Sequence, residues 1–124
     1  MPIHYILANL LARDEDTVGV LFLDDSGETV DLACAEFTPY QMRVVGAYAG
    51  IYLKQLSRIS GGHGLGEAVR VHVEQDELHV HAEALPEGYY LVLLQRRPGM
   101  VARARRALQQ AAAELIHEFF GDAP

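Results

Sequence analysis

Three histidines in the second half of the chain are the residues best placed for metal chemistry. His72 lies in one predicted strand, and His79 and His81 lie in the next. A two-residue turn at Gln75 and Asp76 joins these strands as a hairpin. In that register His72 faces His79, and imidazole nitrogens are common ligands of zinc. The pattern specifies no fourth ligand, and a solvated sheet face has the same composition. We assign no metal and no other cofactor, and the question of a metal on this face stays open.

The segments that resemble phosphate-binding or nucleophilic motifs lack the context that such chemistry requires. The Gly62-His63-Gly64-Leu65-Gly66 segment follows a predicted helix and precedes a predicted strand, which is the reverse of a dinucleotide-binding loop. The sequence contains no GxxxxGK[ST] segment, and Ser57 and Ser60 have no motif-defined histidine and carboxylate partners. We therefore assign no catalytic residue and expect the protein not to be an enzyme.

Five of the ten basic residues surround the predicted start of the last helix. They are Arg96, Arg97, Arg103, Arg105 and Arg106. Positive charge at the start of a helix opposes the helix dipole, so an acidic surface on a partner protein would compensate it. Solvation, or ion pairs with the chain's own acids, explains the same pattern. Both explanations stay open, and the five arginines are candidate partner-binding residues.

Composition narrows the class of protein. The 124 residues, half of them hydrophobic, suit one soluble domain over residues 1–124. A formal charge of -7 argues against a general nucleic-acid or anionic-membrane binder, because those partners require a dominant positive field. Cys34 is the only cysteine, and the apolar first eleven residues are too short to span a bilayer. We expect a cytoplasmic protein that does not insert into membranes.

Hydrophobic periodicity predicts a short helix, two strands, a long helix, three strands and a closing helix. Val18 to Leu23 and Tyr89 to Leu94 are almost continuously apolar, which is typical of strands covered on both faces. These two runs should lie side by side at the centre of one sheet. Thr38 and Pro39 mark the start of the long helix, which should end near Ile59 or Ser60. The order of the elements favours a single sheet flanked by helices.

The long helix has more apolar surface than one contact with a sheet requires. The stripe predicted to face the chain's own core contains Val45, Tyr48, Tyr52, Leu56 and Ile59. A second stripe contains Met42, Gly46, Ala49, Gly50, Leu53 and Ser57. Glycine inside a helix costs about 0.5 to 1 kcal/mol relative to alanine, so close packing should offset the cost of Gly46 and Gly50. That packing involves either a second subunit or the chain's own sheet and terminal helices.

The pattern over residues 3–120 resembles the Roadblock family of dynein-light-chain-like domains. The resemblance is carried by the hairpin segment Val18-Gly-Val-Leu-Phe-Leu-Asp-Asp-Ser-Gly, the long helix after Thr38-Pro39 and the last helix after Arg97-Pro98-Gly99. It implies an α+β fold with a five-stranded antiparallel sheet, the long helix on one face and the two terminal helices on the other. It also implies dimers through the long helix and the third strand. The expected interface is Met42, Gly46, Ala49, Gly50, Leu53, Ser57, Val69, Val71 and Val73.

The same resemblance implies a function in regulation. Roadblock proteins are scaffolds or regulators that bind Ras-like small GTPases, some of them acting on GTP hydrolysis, and the family offers no catalytic residue to carry over. We expect a homodimer that binds a small GTPase or a related regulatory protein. The alternative is a sensor whose sheet and helices enclose a small ligand. An apolar pocket lined by convergent polar groups would favour the sensor, and a helix-paired dimer would favour the scaffold.

Overall fold

The structure is a computed structural model, and it describes residues 2–62, 64, 70–97 and 99–121. Its helices are α1 (Pro2–Arg13), α2 (Pro39–Gly62) and α3 (Val101–Leu115), which a π-helical segment, Ile116–Phe120, extends. Its strands are β1 (Thr17–Leu23), β2 (Thr29–Cys34), β3 (Arg70–Glu74), β4 (Leu78–Ala84) and β5 (Tyr90–Arg96). Among the described helices, none has the length and apolar character needed to cross a bilayer.

The strands form one antiparallel sheet in the order β2-β1-β5-β4-β3. The two apolar runs, β1 and β5, lie side by side at its centre as predicted, and every residue of β1 is buried. β2 forms one edge of the sheet and β3 the other. The predicted five-stranded antiparallel sheet is confirmed.

Different helices cover the two faces of the sheet, because successive strand residues point to opposite sides. Phe22 and Leu93 belong to a buried layer with α1 and α3, whereas Leu21 and Leu94 belong to a layer with α2. The predicted placement of the long helix opposite the two terminal helices is therefore confirmed. Because α2 lies over β1 and β2, the side chains of β3 and β4 on the same face form one wall of an open groove.

The first hairpin turns at the segment from Asp24 to Gly27. Asp24 Oδ1 accepts hydrogen bonds from the backbone N–H groups of Ser26 and Glu28, both at 2.9 Å. Gly27 has a φ of 82°, a left-handed conformation that glycine adopts without steric cost. The turn therefore brings the Gly27 backbone next to α2.

The second hairpin has a different register from the predicted one. The backbone N–H of Gln75 donates to the carbonyl of Leu78 at 2.8 Å, so the turn centres on Asp76 and Glu77. Val73 consequently pairs with Val80, and His72 pairs with His81 rather than His79. The predicted register was wrong by two residues. A shift of two leaves every side chain on its original face, so the hydrophobic pattern is the same in both registers.

Candidate interaction surface

The α2 helix packs on the sheet mainly with the stripe that lies beside the predicted one. Met42 is fully buried and Leu53 is 3% exposed, whereas Tyr48 is 72% and Ile59 60% exposed. The prediction that Tyr48, Tyr52 and Ile59 belong to the core face was wrong. The stripe assigned to the dimer contact instead packs mainly within the chain, and Ser57 Oγ lies 3.0 Å from the hydroxyl of Tyr90. Both stripes are apolar, and their periodicity alone does not tell which one faces the sheet.

Close packing within the chain explains the two helical glycines. A Cβ on Gly50 would lie 2.7 Å from the Cα of Gly27, and a Cβ on Gly46 would lie 3.2 Å from a methyl carbon of Leu23 and from the hydroxyl of Thr29. Gly50 therefore permits direct backbone contact between α2 and the first hairpin turn. Of the two explanations open from sequence, the structure gives contact with the chain's own sheet.

The outer side of α2 is an exposed apolar stripe. Its members, which recur at helical spacing, are Tyr40, Val44, Tyr48, Ile51, Tyr52 and Ile59. Each is at least 39% exposed, and Tyr40 reaches 76%. The helix carries Arg43, Lys54 and Arg58 but no acidic residue, although the chain as a whole has a charge of -7. Contiguous exposed apolar patches are uncommon on monomeric proteins and often belong to interaction sites.

An apolar groove of about 680 Å³ runs beside this stripe. The α2 helix forms one wall with Val45, Ala49 and Tyr52, and the open side of the sheet forms the other with Val71 and Val80. The amides of Gln55 and Gln75 add polar groups to a lining that is otherwise dominated by aliphatic and aromatic side chains. The stripe and the groove therefore make one continuous apolar surface.

β3 borders the groove and ends the sheet. Among the described residues no strand pairs with its outer edge, so its backbone groups on that side can extend the sheet. Val71 and Val73 point to the α2 side and are half-buried. Val69, the remaining strand residue predicted for the dimer contact, lies outside the described residues.

The α3 side of β3 and β4 carries a cluster of imidazole rings. We call His72, His79 and His81 the histidine cluster. The rings of His72 and His81 stack with centroids 4.6 Å apart, and His72 Nε2 lies 3.0 Å from His79 Nδ1. His79 is 5% and His81 2% exposed, whereas His72 is exposed.

Gln95 links this cluster to the start of α3. The side chain is fully buried, and its Nε2 donates a hydrogen bond to the carbonyl of Met100 at 3.0 Å. Its Oε1 therefore faces His81 Nε2 at 3.1 Å and accepts a hydrogen bond from it. No site was predicted at Gln95, although a glutamine at the end of an apolar strand was a visible signal of a buried polar contact.

The surroundings disfavour protonation of two rings in the histidine cluster. Burial lowers the pKa of His81, and nearby His72, His79 and Arg105 lower it further, while the hydrogen bond with Gln95 opposes them. Partial desolvation of its ring also lowers the pKa of His72, His79 and Arg105 lower it further, and Glu74 raises it. In the described part of the chain, no three His, Cys, Asp or Glu residues are arranged to hold a metal ion.

The five predicted partner-binding arginines divide into two groups. Arg96 forms an ion pair with Glu36, and Arg97 Nη2 lies 3.2 Å from Glu74 Oε1. Arg97 also donates to the carbonyl of Gln75 at 2.9 Å. These two therefore pair with the chain's own acids. The other three are exposed on α3 without an ion pair to a described residue, and they are Arg103, Arg105 and Arg106.

We compared this architecture with those of known proteins. No protein-family model and no curated protein matches the chain. Among solved structures, a Roadblock/LC7 domain from Streptomyces avermitilis is 19% identical, with 90% of this chain and 92% of that chain covered and a TM-score of 0.79. MglB of Myxococcus xanthus is 14% identical, with 96% and 88% covered and a TM-score of 0.86.

A further MglB structure, described as having a tetrameric arrangement, is 13% identical. It covers 91% of this chain and 84% of its own length, with a TM-score of 0.81. At such identities the likeness is one of backbone architecture, and it agrees with the resemblance seen in the sequence. The chain has the Roadblock/LC7 fold.

Proposed function

We propose that the protein is a non-enzymatic, cytoplasmic homodimer that serves as a scaffold or regulator of a Ras-like small GTPase or a related regulatory protein. The observation that carries the dimer is the continuous apolar surface formed by the α2 stripe, the groove and the β3 edge. Function does not follow from fold alone, so the GTPase partner rests on analogy with Roadblock proteins.

A second copy of the chain suits this surface. A twofold contact requires one patch to be complementary to itself. Here an apolar stripe with Tyr48 and Ile51 lies beside an apolar groove. The stripe of each copy can therefore pack into the groove of the other. The unpaired edge of β3 adds backbone hydrogen bonds if the two sheets join. The contact uses the outer stripe of α2 together with Val71 and Val73, in place of the buried Met42, Gly46, Gly50 and Leu53.

The dimer is tested with Tyr48→Glu combined with Ile51→Glu. Both side chains are more than half exposed in one chain, so the change should leave the monomer folded while placing two charges in the contact. We expect the wild type to have twice the chain mass of 13.7 kDa and the variant to have the chain mass. Sedimentation velocity over a range of concentrations measures both.

The matched control is Tyr5→Glu, because Tyr5 is 68% exposed but lies on α1. It should remain dimeric. A wild type that stays monomeric at high concentration would refute the dimer, and so would a dimer that survives the double substitution.

The exposed arginines of α3 are the proposed contact for the partner. Arg103 and Arg106 lie on the outer side of the helix, and their charge opposes the dipole at its start. An acidic patch on a partner would gain from this arrangement without displacing an internal ion pair. Arg96 and Arg97 would join such a contact only by exchanging Glu36 and Glu74 for partner acids.

Charge reversal tests this contact once a partner has been recovered from the native organism by affinity purification. We expect Arg103→Glu, alone or with Arg106→Glu, to weaken binding and to reduce its dependence on salt, because fewer charge pairs are screened. Arg13→Glu on α1 carries the same charge change per substitution and should bind normally. Equal affinity and equal salt dependence in all of these proteins would show that the α3 arginines are merely solvated.

The sensor alternative has one observation in its favour. The groove volume of about 680 Å³ lies within the range of small-ligand sites. Its lining, however, is dominated by apolar side chains, with few polar groups to orient a ligand, and it opens beside an exposed aromatic stripe. Both properties favour a protein surface as the occupant.

A further inference from the structure

The hydrogen bond between His72 and His79 depends on protonation. His72 Nε2 and His79 Nδ1 lie 3.0 Å apart, so one of them donates and the other accepts with a bare nitrogen. When both rings are protonated, neither nitrogen can accept, and two N–H groups face each other. His81 stacks on His72 at 4.6 Å and its ring centroid lies 5.9 Å from that of His79, so a third charge would lie close to the first two.

The surrounding charges compensate protonated rings only in part, because Glu74 is the one carboxylate that favours a charged His72. The groups packed around the cluster are Arg70 and Glu74 on β3, Glu83 on β4, Gln95 on β5, Arg97 after β5 and Arg105 on α3. Arg70 binds Glu83 through two hydrogen bonds of 2.9 Å, and Arg97 pairs with Glu74. Both carboxylates are thus already shared with arginines, while Arg105 adds positive charge from above. Mild acid therefore concentrates positive charge between the β3–β4 hairpin and α3.

We propose that the histidine cluster is an acid-sensitive contact that holds β3 to β4 and, through Gln95, to the start of α3, and that it releases the β3–β4 hairpin when the rings are protonated. Because β3 supplies the sheet edge of the dimer, release also weakens dimerisation, and this part of the proposal rests on the proposed function. The protein would respond to acidification by withdrawing the edge through which it associates.

The sign follows from linkage. His72 and His81 bind protons less readily in the folded state than their ordinary pKa of 6.5 implies. The unfolded chain therefore takes up more protons as the pH falls below that value, and acid lowers the stability. The contribution of the neutral His72 and His81 to the free energy of unfolding is complete well above pH 6.5 and is lost progressively below it.

Amide hydrogen exchange of the β3 and β4 backbone between pH 8 and pH 5 tests the contact without requiring a dimer. Protection factors, which remove the intrinsic pH dependence of exchange, should fall several-fold in acid in the wild type. His72→Gln with His81→Gln should flatten this profile, because glutamine does not titrate and its amide can still donate near Gln95. The pH dependence is diagnostic even if the variant is less stable at every pH. His4→Gln, at an exposed histidine on α1, should keep the wild-type profile.

The two claims fail separately. If wild type and double variant share one pH profile, the acid-sensitive contact is refuted whatever the oligomeric state. If the profiles differ as expected but the wild type is monomeric at pH 8, the contact stands and the proposed dimer fails. Sedimentation at pH 5 and pH 8 completes the test, because a dimer that persists at pH 5 while the hairpin exchanges freely refutes the coupling to association.

Discussion

Gly27 and Gly50 touch through their backbones, and this contact fixes how closely α2 approaches the first hairpin. The positive φ of Gly27 is visible in the sequence as turn chemistry, because Asp24, Ser26 and Gly27 form a standard turn pattern. The role of Gly50 is not visible in the sequence, because a glycine in a helix indicates close approach but does not identify the segment that approaches. Only the folded chain shows that the neighbour is a turn 23 residues earlier.

We expect Gly50→Ala to lower the free energy of unfolding by about 1–3 kcal/mol. The added methyl would meet backbone atoms at 2.7 Å, and backbone cannot move aside as a flexible side chain can. Gly62→Ala is the matched control, since Gly62 ends the same helix with nothing within 4 Å of a Cβ. Urea denaturation at one chain concentration should show unchanged or slightly higher stability for the control. Equal stability of the two variants would contradict the backbone contact.

At the scale of the element, α2 begins with a reciprocal cap. The backbone N–H of Gln41 donates to Thr38 Oγ1 at 3.1 Å, and the backbone N–H of Thr38 donates to Gln41 Oε1 at 2.9 Å. The helix has no acidic residue in its first turn to favour the dipole. The cap was predictable, because Thr38-Pro39 followed by Gln41 is a sequence signature of a helix start.

Thr38→Ala should lower the free energy of unfolding by about 1 kcal/mol, because it leaves a helix N–H without its side-chain acceptor. Thr38 is exposed, so little packing is lost with the methyl group. Thr38→Ser retains the hydroxyl and should stay close to the wild type in the same urea measurement. A stability of Thr38→Ala indistinguishable from that of Thr38→Ser would remove the capping role.

Two features of the elements could not be read from periodicity. The register of the second hairpin differs from the prediction by two residues, and the alternating pattern of Val71, Val73 and Val80 satisfies both registers. The orientation of α2 has the same cause, since both stripes are apolar. Aromatic side chains such as Tyr48 suggest a core by their size, but Met42 and Leu53 are the buried residues, and Gly46 and Gly50 allow the close approach.

At the scale of the whole molecule, the order of elements and the central position of β1 and β5 followed from local pattern. The contacts between distant segments did not. The ion pair of Arg96 with Glu36 and the link from His81 through Gln95 to Met100 join residues whose separation in sequence carries no periodic signal. For the candidate site, the sequence located the α2 helix and the edge strand, and the structure identified the side of the helix that remains available.

The helices cover the two faces of the sheet to different degrees. The layer with α1 and α3 contains the larger of the two buried clusters, while the apolar side chains of β3 and β4 in the layer with α2 are only partly covered. Substitutions of exposed residues on the α2 side should therefore leave the larger buried cluster undisturbed. The sequence of this surface can therefore vary while the fold is retained.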